Sequence, residues 1–111
     1  MFEFIQLCIK LITLFTGVVM SDAPRDVRLK AYREGADVFQ EHVMAILHHL
    51  NRRSSKQYRI FCYWQARVEL VKDQAFEHLF ERNDHTVQMA ARSSESVNYW
   101  ATKLGYEVEG V

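Results

Sequence analysis

The sequence predicts a mostly α-helical bundle, and three observations carry that prediction. Between Ala36 and Leu104 there is neither glycine nor proline, whereas sheets need turn residues about every eight to twelve positions. Apolar residues recur at 3-4 spacing along three stretches joined by short polar segments. Those stretches carry helix start or stop signals. The expected elements are main helices over 24–51, 56–82 and 85–104, with the apolar segment 1–20 as a candidate fourth helix and a short extended C-terminal tail.

The N-terminal segment, MFEFIQLCIKLITLFTGVVM, is the most apolar part of the chain. Lys10 near its middle would cost ~2.5–3.5 kcal/mol at a bilayer centre, and the uncharged run Leu11–Ser21 is short for a span. Glu3 disturbs the basic start that a secretory signal needs, and no small-x-small cleavage site follows. Three readings stay open for residues 1–20: a helix packed on the domain, a helix in a membrane interface, or an inessential extension before a start at Met20. Residues 21–111 read as a single helical domain.

For the first main helix, Ser21 or Asp22 is expected as the cap, with Pro24 in the first turn, where its missing N–H costs nothing. Leu29, Tyr32, Ala36, Phe39, Val43, Ile46 and Leu50 then form one apolar seam. Gly35 inside that seam points to a close helix contact or a kink. In the connection NRRSSKQ, Ser54 and Gln57 have capping-box spacing. The next helix has Phe61, Trp64, Val68, Val71 and Ala75 as its seam. The stretch IFCYWQARVEL also alternates, so an α+β fold with a strand at 59–70 is the alternative. Asn83 or Asp84 is expected to cap the last helix, whose seam is Val87, Ala90, Ser94, Val97, Ala101 and Leu104. Gly105 stands where a left-handed C-cap residue is wanted.

Composition narrows the functional classes. The chain has 111 residues, 14 basic and 14 acidic, so its global charge implies neither a nucleic-acid nor a membrane partner. The balance is uneven: Arg25–Arg59 holds eight basic and four acidic residues, Phe61–Val111 five and eight. Such halves suit helices packing on one another. Cys8 and Cys62 are the only cysteines and make no CxxC, which fits thiols in a reducing, cytoplasmic setting.

Histidines raise a metal question. EHVMAILHH and EHLFERNDH share a pattern, and two facing helices might gather His42, His49, His78 and Glu81, a set chemically suited to zinc or iron. Di-iron bundles, however, use Glu-x-x-His pairs with further inward glutamates, and Glu41 has Met44 at that offset. Edge histidines beside a helical core explain the pattern more simply, and no cofactor is expected. A basic loop with Arg52, Arg53, Lys56 and Arg59 near Tyr58, Tyr63 and Trp64 has the residue types of a nucleic-acid contact, and equally those of a solvated loop at a helix C-terminus.

No catalytic constellation is visible: there is no phosphate-binding glycine loop and no G-x-S-x-G. VNYWATKLGYEVEG, residues 97–110, resembles the closing helix-and-strand segment of GNAT acetyltransferases. The Gly-rich pyrophosphate loop that the family carries upstream is absent from QARVELVKDQAFEHLFERND, and Ala101 stands at the position of the family's tyrosine. A glycine-capped helix accounts for the stretch, and the chain is not assigned to that family.

The expected function is therefore that of a small non-enzymatic accessory or regulatory protein. It would act by helix-face contact with another protein or with itself, through Tyr63, Trp64, Phe76 and Phe80. A nucleic-acid binder using the 51–59 loop is the alternative, and a His/Glu metal-binding bundle comes third. The expected location is cytoplasmic, with peripheral membrane contact through 1–20 as a further option.

Overall fold

The computed structural model describes residues 1–50 and 55–106. It consists of four helices, α1 (Phe2–Met20), α2 (Arg25–His49), α3 (Ser55–Leu79) and α4 (Asp84–Leu104). The helical-bundle expectation holds, with the N-terminal apolar segment as its first helix. The strand alternative at 59–70 is overturned, because those residues lie within α3. An edge of β-type alternation does not make a strand when no described segment pairs with it, and a helix satisfies every backbone group internally. The tail expected after Gly105 lies largely outside the described residues, as do Asn51–Ser54 and the capping box proposed there.

Helix α3 is the axis of the bundle. It packs most extensively on α4 and next on α1, while α2 rests mainly on α1 and only lightly on α3. Among the described residues, the α4 backbone does not approach α1 or α2. The body is flattened, 45 × 32 × 21 Å, and its thinnest dimension is about two helix diameters. No helix is therefore covered on all sides except in part, α1 included.

The core joins α1, α2 and α3. Phe4, Cys8, Leu11 and Phe15 of α1 are buried against Phe39 and Val43 of α2 and Phe61, Val68 and Ala75 of α3, and Val18 of α1 is buried as well. The α1 positions follow 4-3-4-3 spacing, one face of a helix. Phe4 is held between Phe61, at a 5.0 Å centroid separation, and Phe39, at 6.5 Å. Burying each such side chain stabilises the fold by roughly 1.5–3 kcal/mol.

Gly35 marks a close helix contact: a Cβ there would meet Leu14 and Phe15 of α1. The α2 seam is buried at Phe39 and Val43 and half-covered at Leu29, Tyr32, Ala36, Ile46 and Leu50.

The caps differ in part from expectation. Neither Ser21 nor Asp22 caps α2. Its N-cap is Pro24, whose carbonyl accepts the first helical bond from Arg28 N at 3.1 Å. Proline disfavours helical backbone at Ala23, so the helix starts later than a Ser21 cap would require. Ser21 Oγ instead accepts from Ala23 N at 3.1 Å, closing the turn.

Helix α3 ends at Leu79, short of the expected Arg82. The reason is the next cap: Asn83 is extended (φ −147°) and accepts from Thr86 N at 3.0 Å, while its own N–H donates to Thr86 Oγ1 at 2.9 Å. A chain committed to that capping box has left the preceding helix. Thr86 is consequently buried, and Val87, expected in the α4 seam, is exposed. Gly105 adopts φ 78°, as a left-handed C-cap. Between α3 and α4, Ser93 Oγ donates to the buried Asp73 carboxylate at 2.6 Å, a charge-assisted bond that fixes their register.

Candidate interaction surface

The residues expected to form a protein contact on α3 do not share one face. Tyr63 and Trp64 pack edge-to-face at 5.7 Å. The Arg67 guanidinium lies 4.6 Å from the Trp64 ring and 5.7 Å from Tyr63, and Tyr106 adds a further ring at 5.1 Å. Phe76 and Phe80, roughly 20 Å along the helix, pack instead around Tyr32 of α2, at 5.9 and 5.5 Å. All four are half-buried, so each spends much of its apolar surface inside this chain. The Tyr32 hydroxyl pKa is pushed up to about 12 by burial, with the Asp73 and Glu69 carboxylates adding to it.

The metal set is not assembled. His42 and His49 line a cleft of about 450 Å³ between α1 and α2, His78 one of about 480 Å³ between α1 and α3, and Glu81 a third beside α4. Among the described residues, no group of three or more His, Cys, Asp or Glu side chains is placed to hold a metal ion. The helices that carry these residues face one another through apolar side chains, which leaves the histidines on separate edges. His42 Nδ1 donates to Val38 O at 2.9 Å, and Glu81 accepts from Asn83 Nδ2 at 3.0 Å.

Of the basic set, Arg52 and Arg53 lie outside the described residues. Lys56 is exposed, and Arg59 is half-buried with Nη1 donating to Lys103 O at 3.3 Å. That bond ties the start of α3 to the last turn of α4, a structural use of the guanidinium.

A different surface stands out. The exposed large apolar residues include Phe2, Ile9, Leu14 and Met20 on α1 and Val27 and Val38 on α2, and none lies on α3. Phe2 is 72% and Met20 77% accessible, with Ile9 at 45% between them. By length and composition α1 could cross a membrane, yet only 28% of that apolar stretch is buried in the bundle. Helix α1 thus carries large apolar side chains outside the bundle as well as inside it.

The outer side has its own spacing. Phe2, Gln6, Ile9, Thr13, Thr16 and Met20 follow 4-3-4-3-4 and are all exposed. Thr13 Oγ1 donates to Ile9 O at 3.0 Å and Thr16 Oγ1 to Ile12 O at 2.8 Å, so both hydroxyl protons are used inside the helix. Lys10 lies at the edge of this stripe, where its stem can run along apolar surface with the ammonium in water.

The chain matches no protein-family model, no curated protein and no solved structure.

Proposed function

We propose that this chain is a non-enzymatic interaction protein whose contact face is the outer side of α1 together with the adjoining flank of α2. The observation that supports the reading is the exposure of four large apolar side chains on one helix, Phe2, Ile9, Leu14 and Met20, with Val27 and Val38 exposed on α2. The α3 aromatics support the scaffold in this reading, by packing against α2 and α4.

The experiment is purification of the tagged chain from its native host, as wild type and as the Ile9→Lys and Met20→Lys variants. Both positions are exposed, so the fold survives the changes. An associated species, protein partner or second copy, is expected with the wild type and is lost with both variants. Association indifferent to both substitutions would overturn the reading.

A further inference from the structure

We infer that the cleft where α2, α3 and α4 meet is a binding site for a small free organic amine, held as its ammonium ion against the Asp73 carboxylate. The inference goes beyond the helix-face reading and does not depend on it. The cleft has a volume of about 310 Å³, and its lining includes Tyr32 of α2, Asp73 and Phe76 of α3, Glu81, and Met89 of α4. That volume is at the lower end for a ligand site, which suits a small molecule.

Asp73 supplies a buried charge that the chain does not neutralise. It is 8% exposed, and its Oδ2 accepts from Ser93 at 2.6 Å. Among the described residues no donor reaches Oδ1, and no cationic side chain lies within ion-pair distance of the carboxylate. Arg28 Nε is the one fully buried side-chain polar atom among those residues that lacks a partner, so Oδ1 is open to the cleft that Asp73 lines. A carboxylate this buried is costly to keep ionised without a cation. An ammonium ion in the cleft supplies both the missing charge and a donor for Oδ1.

The rest of the lining sets the sign and shape of the ligand. Lys72 also lines the cleft, but its ammonium is 3.2 Å from Glu69, and Glu81 adds a second carboxylate. That balance disfavours an anion. Among the described residues, no group of three or more His, Cys, Asp or Glu side chains is placed to hold a metal ion, so an organic cation is the better fit. The Tyr32 and Phe76 rings are 5.9 Å apart, and Phe80 joins them at 5.5 and 5.7 Å. Arg25 already rests 5.5 Å from the Phe80 ring, so this aromatic cluster accepts a cation where one is offered. The rings and the Met89 thioether give apolar surface for the hydrocarbon part of the amine.

The test is a titration of the full chain followed by amide NMR shifts, at constant ionic strength. The probe is n-butylammonium chloride, with n-butanol and sodium butyrate as neutral and anionic comparisons. Saturable shifts are expected at Tyr32, Asp73, Phe76 and Met89 with n-butylammonium alone, at a Kd of about 1–10 mM. Asp73→Asn keeps the shape and an acceptor for Ser93 but removes the charge, and should weaken binding about tenfold or more. Met89→Lys, at a partly exposed position, brings an ammonium of its own to the cleft and should weaken the probe to a similar extent, even if Asp73→Asn does not fold. Asp37→Asn, exposed on α2, should leave the Kd unchanged. N-acetyl-lysine methylamide, the same headgroup on a backbone, should bind more weakly than the free amine.

A wild type without saturable shifts overturns the inference, as does equal binding of n-butanol or butyrate. Unchanged affinity in a folded Asp73→Asn chain, or in Met89→Lys, overturns it too. Tighter binding of N-acetyl-lysine methylamide would point to a lysine of another protein and overturn the free-amine assignment.

Discussion

Leu14 of α1 lies directly over Gly35 of α2: a Cβ on Gly35 would stand 2.7 Å from Leu14 Cδ2. Phe15 Cζ would be 3.2 Å away and its Cε1 3.3 Å. Leu14 is partly exposed and can turn aside, but Phe15 is fully buried. Gly35→Ala gains about 1 kcal/mol of helix propensity against an overpacking cost of ~1–3 kcal/mol. The expected net is a loss of about 1 kcal/mol in urea denaturation, and a larger loss for Gly35→Leu. Stabilisation by Gly35→Ala would mean that α2 can back away from α1 freely.

A chain beginning at Met20 should not fold cooperatively. It lacks Phe4, Leu11, Phe15 and Val18, and uncovers Phe39 and Phe61. At roughly 1.5–3 kcal/mol for each large side chain, the loss is comparable with a whole stability of about 5–15 kcal/mol. Thermal melting followed by circular dichroism should show a broad or absent transition. In the full chain Phe15→Ala alone should cost about 3–5 kcal/mol.

Alkaline pH should destabilise the protein before it affects the caps or the surface. Burial pushes the Cys8 thiol up to about 12, with Arg67 pulling weakly the other way, and Tyr32 is likewise raised to about 12. Both folded values exceed the unfolded ones, 9.0 and 10.0. The unfolded chain therefore releases these protons first, and the stability they contribute is intact below pH 9 and lost as pH rises towards 12. Urea midpoints should be flat from pH 7 to 8.5 as far as these groups are concerned, then fall; Tyr32→Phe should soften the decline. A buried, protonated Cys8 should also resist alkylation at pH 8 until the protein unfolds.

The two ends of α4 should be separable by mutation. Asn83→Ala removes the side-chain acceptor for Thr86 N and should cost about 1 kcal/mol. Gly105→Ala places a Cβ on a residue at φ 78° and should cost ~1–2 kcal/mol. Helix α4 lies on α3 alone, so hydrogen exchange in either variant should accelerate in α4 more than in α1. Uniform acceleration would show that α4 and the α1–α2–α3 core open as one unit.

Much of this fold was legible in the residues. The glycine and proline gap, the 3-4 spacing, the Asn83 cap and the Gly105 cap are local features, set by helix geometry within a few residues. The cap of α2 was misplaced because Pro24 restrains Ala23 more strongly than Ser21 attracts a helix start. The end of α3 was overrun because nothing within the helix stops it; the Asn83–Thr86 box beyond it does. The candidate site was less legible. Trp64 lies on the α3 seam and Tyr63, Phe76 and Phe80 stand off it, and a seam drawn for one neighbour cannot show that α3 has three.

The sequence by itself determined three helices and their apolar faces and offered the N-terminal segment as a candidate fourth, because helix formation and amphipathic spacing are properties of contiguous residues. The tertiary structure alone decided which helices cover the inner face of α1, namely α3 and α2. Phe4, Cys8, Leu11, Phe15 and Val18 form one apolar side and Phe2, Ile9 and Met20 mark the other. A helix wheel favours the first, because Gln6, Thr13 and Thr16 interrupt the second, but it does not say which helices cover it. The close contact of α1 with Gly35 and the packing of the Phe4 ring between Phe61 and Phe39 seat the first against α2 and α3 and leave the second facing out.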